Sequence, residues 1–181
     1  MGIDAVVWDI DDTIFDYTAA DRAGMRGHLA AEGLLDGHTS VEQALARWRE
    51  ITDAQWARFS AGETDWQGQR RERVRVFVGE RLSDADADAW FDRYVRHYET
   101  AWTLFPDVLP VLDRLTGSHR HAVLSNSSLL VQDRKLRVLG VHRTAHRGPA
   151  PADRVRSWGA GGVQLSSPAH RRRSTVPQRC A

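Results

Sequence analysis

An apolar run that stops in a cluster of acids opens the chain, and its partner strand does not follow for more than a hundred residues. Residues 3–10 (IDAVVWDI) are rich in β-branched side chains and read as a buried strand, with Asp11 and Asp12 directly behind. Residues 18–102 then carry helical patterns with no second strand among them. Thr18 is read as the cap of a helix that Gly33 stops. Ser40 and Gln43 form a capping box ahead of a helix to about Phe59, with Val41, Leu45, Trp48 and Ile51 mainly on one side. Asp65 starts a third helix, through Val74, Phe77 and Val78 to Leu82. Ser83 or Asp84 starts a fourth, carrying Trp90, Phe91, Tyr94, Val95 and Tyr98.

Beyond Pro106 the pattern changes. Val108, Leu109, Val111, Leu112 and Leu115 have helical spacing, and Gly117 ends that helix. Residues 121–124 (HAVL) read as a second buried strand, closed by Ser125-Asn126-Ser127-Ser128, and residues 129–139 as an amphipathic helix before Gly140. Strand, helical insertion, helix, strand, helix is the order of an α/β domain with a parallel sheet. In such sheets ligands bind beyond the carboxyl ends of the strands. Both polar clusters of the chain, residues 9–13 and 125–128, fall at those ends.

Asp9-Ile10-Asp11-Asp12-Thr13 places two carboxylates, Asp9 and Asp11, where they can divide phosphoryl transfer. One attacks phosphorus and the other moves the proton of the leaving group and then of water. Two acids at close range also attract a hard cation, and Mg²⁺ suits an all-oxygen site. Thr13 can orient the nucleophile, while Ser125 and Asn126 can donate to phosphate oxygens. The same residues could instead be an ordinary turn or a helix cap.

Taken together, DIDDT, the following FDYTAADRAG and VLSNS resemble the haloacid dehalogenase (HAD) superfamily of hydrolases over about residues 3–140. The resemblance implies a HAD-like α/β core of parallel strands, residues 1–15 and 104–140, with an α-helical cap inserted at 16–103. It implies Asp9 as nucleophile and Mg²⁺ ligand. Asp11 becomes general acid/base and lends its main-chain carbonyl to the metal, and Ser125 holds the phosphoryl group. An acid at position 11 goes with the phosphatases of the superfamily and not with its dehalogenases proper. The cap implies a small phosphorylated metabolite as substrate.

Two further elements of the family pattern do not follow Ser125: a lysine ahead of a proline, and a later acidic stretch that completes the metal site. Lys135 is the chain's lysine, and its place within a helix reads as a solvated charge. After Asp153 there is no acid. A weak or inactive hydrolase is therefore expected, the alternative being a non-catalytic remnant that binds phosphate or a partner. Residues 141–181 hold eight Arg against one acid and four of six prolines, whereas residues 1–140 hold 17 Lys/Arg and 23 Asp/Glu. So little apolar surface cannot offset ~1–2 kcal/mol of backbone entropy per ordered residue. The tail is read as disordered and foreign to the family, with the composition of a GC-rich gene read out of frame or given an altered end. Its basic run, Arg171-Arg172-Arg173, lacks the interleaved aromatics of nucleic-acid binders. The cap tryptophans read chiefly as packing, with one or two free to face a substrate, and His28, His38 and His97 as decoration of cap helices. No export signal or spanning segment is read, and Cys180 has no partner for a disulfide, so a cytoplasmic location is expected.

Overall fold

Residues 3–34 and 38–141 are described by the structure, a computed structural model. The sequence-level expectations for the tail, including its basic run, Asp153 and Cys180, lie outside the described residues. Strand β1 (Ala5–Trp8) pairs in parallel with β2 (Arg120–Val123), Ala5 opposite Arg120 and Trp8 opposite Val123. Between them run α1 (Tyr17–Glu32), α2 (Val41–Ser60), α3 (Trp66–Val78), α4 (Asp84–Thr100) and α5 (Val108–Thr116). Helix α6 (Leu129–Val138) follows β2. No described helix is long and apolar enough to cross a membrane.

The helix ends obey local chemistry, with two corrections. Ser40, Asp65 and Ser83 each accept from the main-chain N–H three residues on, as N-caps do. Helix α1 is capped by Asp16 and not by Thr18. Thr18 instead gives its N–H and hydroxyl to the two oxygens of Asp12, both at 2.8 Å. Helix α3 stops at Gly79, whose φ of 76° is left-handed, so it never reaches Leu82.

Two apolar clusters form. The first lies within the helical insertion, where Met25, Leu29, Trp48, Val74, Phe77 and Trp90 close on one another. Helices α1 and α4 come close enough there that a Cβ on Gly24 would stand 2.5 Å from the Tyr98 Cα. The second cluster, with Ile10, Ile14, Phe15, Leu112, Leu136 and Val141, lies under the strand ends. Tyr98 touches both. The strands and the residue after β2 are less buried than their composition predicts: Val7 is 61% exposed and Leu124, just past β2, 40%. A two-stranded sheet has too few neighbours among the described residues to cover both its faces, and apolar composition alone cannot reveal that.

Candidate active site

Parallel pairing brings both polar clusters to one end of the sheet, where the Leu124 N–H donates to the Trp8 carbonyl at 2.9 Å. After β1 the chain turns tightly, the Ile10 carbonyl accepting from the N–H groups of Thr13, Ile14 and Phe15. Asp12 occupies the left-handed region of this turn at φ 57°. Its carboxylate is spent on Thr18, so it anchors the entry to α1.

Asp9 is exposed, and its Oδ2 accepts from the Thr13 hydroxyl at 3.0 Å, which fixes the carboxylate and leaves Oδ1 unbonded among the described residues. Asp11 is half-buried and both its oxygens are engaged. Oδ1 receives the Lys135 ammonium at 2.5 Å and Oδ2 the Gln132 side-chain amide at 2.6 Å. The same Gln132 nitrogen lies 3.0 Å from the Ser125 hydroxyl oxygen, so one amide ties Asp11 to the end of β2. Ser125 Oγ also accepts from the Ser127 N–H.

Lys135 corrects the sequence-based reading. Its side chain is 3% exposed and its Nζ lies 4.0 Å from the centre of the Phe15 ring, so it is no solvated charge. Burial pushes the ammonium below the ordinary lysine range, against the upward pull of Asp11. Gln132 was missed by sequence reasoning altogether. The available signal was its spacing: residues 132 and 135 lie three apart on α6 and share a face.

A cavity of about 440 Å³ opens from these groups into the insertion. Asp9, Asp11, Asp12, Asn126, Ser127 and Lys135 line its sheet end, whereas Thr13 and Ser125 are not part of its lining. Trp56, Trp66 and Trp102 line it too, while Trp48 and Trp90 are buried in the insertion's own core. His28 is likewise buried, and not a surface decoration.

The donors fit a hard divalent cation in kind. Asp9 offers a free carboxylate oxygen, and Mg²⁺ commonly takes one or two carboxylates and fills its octahedron with water and substrate phosphate. No group of three His, Cys, Asp or Glu side chains that could hold a metal occurs among the described residues. The Asp11 carboxylate is engaged by Lys135 and Gln132.

A family model for haloacid dehalogenase-like hydrolases matches residues 3–155. Among solved structures the chain resembles the HAD-hydrolase YfnB of Bacillus subtilis bound to magnesium (TM-score 0.67, 19% identity), covering 82% of this chain and 64% of that one. It also resembles a 2-haloacid dehalogenase from Pseudomonas syringae pv. Tomato (TM-score 0.51, 20% identity), covering 81% of this chain and 63% of that one. A further dehalogenase structure aligns with TM-score 0.52 at 22% identity over 79% and 60% of the two chains. The chain thus spans less than two thirds of the length of these structures. No curated protein matches it significantly.

Proposed function

The chain belongs to the haloacid dehalogenase-like hydrolases, and from that premise we propose that it hydrolyses phosphate monoesters of small metabolites through an aspartyl phosphate on Asp9. The observation that carries this reading is the division of labour between the two acids. Asp9 is fixed by Thr13 with one oxygen unbonded at the cavity, as a nucleophile requires, and Asp11 is paired with a buried lysine.

In the proposed reaction Asp9 Oδ1 bonds to phosphorus and the bond to the leaving oxygen breaks. The Lys135–Asp11 pair holds the proton that the leaving alkoxide takes. Asp11 then draws a proton from water as its oxygen attacks phosphorus, which restores Asp9 and frees inorganic phosphate. Ser127 and Asn126, at the cavity wall, would donate to phosphoryl oxygens, with Ser125 orienting Gln132. Mg²⁺ held by the Asp9 carboxylate and the Asp11 main-chain carbonyl would, when bound, neutralise phosphate charge facing the nucleophile.

The test is release of phosphate from 4-nitrophenyl phosphate in Mg²⁺. Turnover that Asp9→Asn lowers by at least about 10³-fold is expected, because the nucleophile is lost. Halide release from 2-chloropropanoate is expected to be nil. Absence of turnover in the unaltered protein, or turnover indifferent to Asp9→Asn, overturns the enzyme reading. Phosphate binding without turnover would then leave the chain a phosphate-binding remnant.

A further inference from the structure

The wall that the helical insertion gives the cavity carries a charge arrangement that the phosphoryl chemistry does not use. Helix α3 directs Arg70 and Arg73, one turn apart, toward the same ring: their guanidinium carbons lie 4.2 and 5.8 Å from the centre of Phe91. Both line the cavity. Arg73 is 7% exposed, its Nε has no hydrogen-bond partner, and no carboxylate reaches it within 4.0 Å among the described residues. Arg70 has a long ion pair, 3.6 Å to Asp92, whose own side chain is 68% exposed, and donates to the Gln67 side-chain oxygen at 3.3 Å.

Other charges around this pair have prior commitments, Asp88 being held by Arg71 at 2.6 Å. Arg49 is taken by Asp53 at 3.0 Å. Asp21, buried behind the cavity wall, accepts from the Tyr94 hydroxyl at 2.7 Å and the Trp48 indole at 3.2 Å, and acts on Arg73 only through space. Burial, and then the neighbouring guanidinium, push Arg70 below its ordinary range. Two cations near one ring, one of them buried with no carboxylate in ion-pair contact among the described residues, are costly in an apolar wall, and that cost is relieved when an anion sits between them. Arginine forks suit carboxylate and phosphate alike.

We propose that Arg73, assisted by Arg70, forms a second anion subsite in the helical insertion, so that the substrate is a phosphate monoester carrying another anionic group, a carboxylate or a second phosphate, at its far end. The subsite extends the phosphatase reading, which it needs only for the phosphoryl end. A cavity of about 440 Å³ has room for such a two-ended molecule.

The test measures binding, so it does not depend on turnover. Quenching of tryptophan fluorescence, with Trp56 and Trp66 in the cavity wall, is titrated with carboxyalkyl phosphonates of two to six carbons and with their methyl esters. Matching bisphosphonates form a parallel arm and separate the two anion sources. At the length that spans the cavity the doubly charged ligand should bind at least about tenfold more tightly than its ester. Arg73→Met should bring it down to the ester's affinity, and Arg73→Lys should restore part of the difference. Arg70→Met, on the more exposed cation, should reduce the advantage and serves if Arg73→Met does not fold. Equal affinity of acid and ester at every length, or an advantage that survives both methionine variants, overturns the subsite. Benzoate, which lacks a phosphoryl group, separates the two readings. Arg73-dependent benzoate binding with no added affinity from any phosphonate would remove the phosphoryl site and keep the anion subsite. Silence from all ligands would remove both.

Discussion

At the scale of single residues, the site turns on side chains whose environments differ although their chemistry is alike. Asp9, Asp11 and Asp12 follow one another closely, yet one is presented to the cavity, one is paired with a buried ammonium and one closes a turn. For Asp12 the test is structural. Its φ of 57° favours Asn or Asp, and its carboxylate holds Thr18. Asp12→Ala should cost about 1–2 kcal/mol in urea denaturation and Asp12→Asn less than half of that, since asparagine tolerates the conformation and keeps an acceptor. Equal costs would show that the turn does not depend on this side chain. For Lys135 the test is kinetic. Lys135→Met should lower kcat by about 10²-fold, the usual loss on removing one electrostatic group. A lysine depressed by burial loses its proton at lower pH than usual, so on the proposed reading the unaltered protein should lose rate on the alkaline side. The methionine variant should lack that decline. A variant with unchanged kcat and pH profile would reduce Lys135 to packing.

At the scale of elements, α1 and α4 form the tightest contact of the insertion, and two residues there report on it. Gly24 is needed for close approach: an added methyl would meet Tyr98 main chain at 2.5 and 2.7 Å, and backbone cannot swing aside. Gly24→Ala should therefore destabilise by about 1–3 kcal/mol despite alanine's better helix propensity, read by thermal or urea unfolding. His28, one turn on, is fully buried, edge-on to Trp90 at 4.3 Å, with neither ring nitrogen bonded among the described residues. Burial lowers its pKa from 6.5 to about 4. The unfolded chain then binds more protons between those values, so stability is full above pH 6.5 and falls as pH drops toward 4. This group should account for about 2 kcal/mol of loss by pH 5, a slope absent from His28→Leu. The elements themselves were legible because each helix carries its own cap or stop, such as Ser40, Asp65, Ser83 and Gly33, within a few residues. The strand-end positions of Asp9 and Ser125 were legible for the same local reason. The Gln132 and Lys135 contacts were not, since they join residues 121 and 124 positions apart and depend on how α6 packs. Arg73 was hidden in the same way, since in sequence it is one of several arginines in α3, and only burial sets it apart.

At the scale of the molecule, the two apolar clusters are unequal in how they close. The cluster of the insertion is sealed by four helices that pack on each other, with Trp48, Met25 and Val74 wholly buried. The other lies under a sheet of two strands, and a strand pair alone is marginal in water. Around it Val7, Leu130 and Val138 are 61%, 80% and 64% exposed, so part of the apolar face contributes little to stability. Main-chain hydrogen bonds from the Asp16 N–H to Thr103 and from the Phe105 N–H to Ile14 tie the two crossing segments to each other, and the Arg134–Glu99 pair joins the halves but is exposed on its arginine side and worth little. Opening should therefore begin at the sheet, while the helical insertion holds. In native-state hydrogen exchange, the amides of Trp8 and Ala122, which face the partner strand, should exchange at least about tenfold faster than those of Leu29 and Tyr94. Leu136→Ala should widen the gap by weakening the cluster under the sheet alone. Exchange of the strand amides as slow as that of α1 and α4 would mean that the exposed face of Val7 is covered in solution. The active-site end of the sheet would then be a rigid platform, and the paired carboxylates at its tip would keep their spacing without help from a bound phosphate.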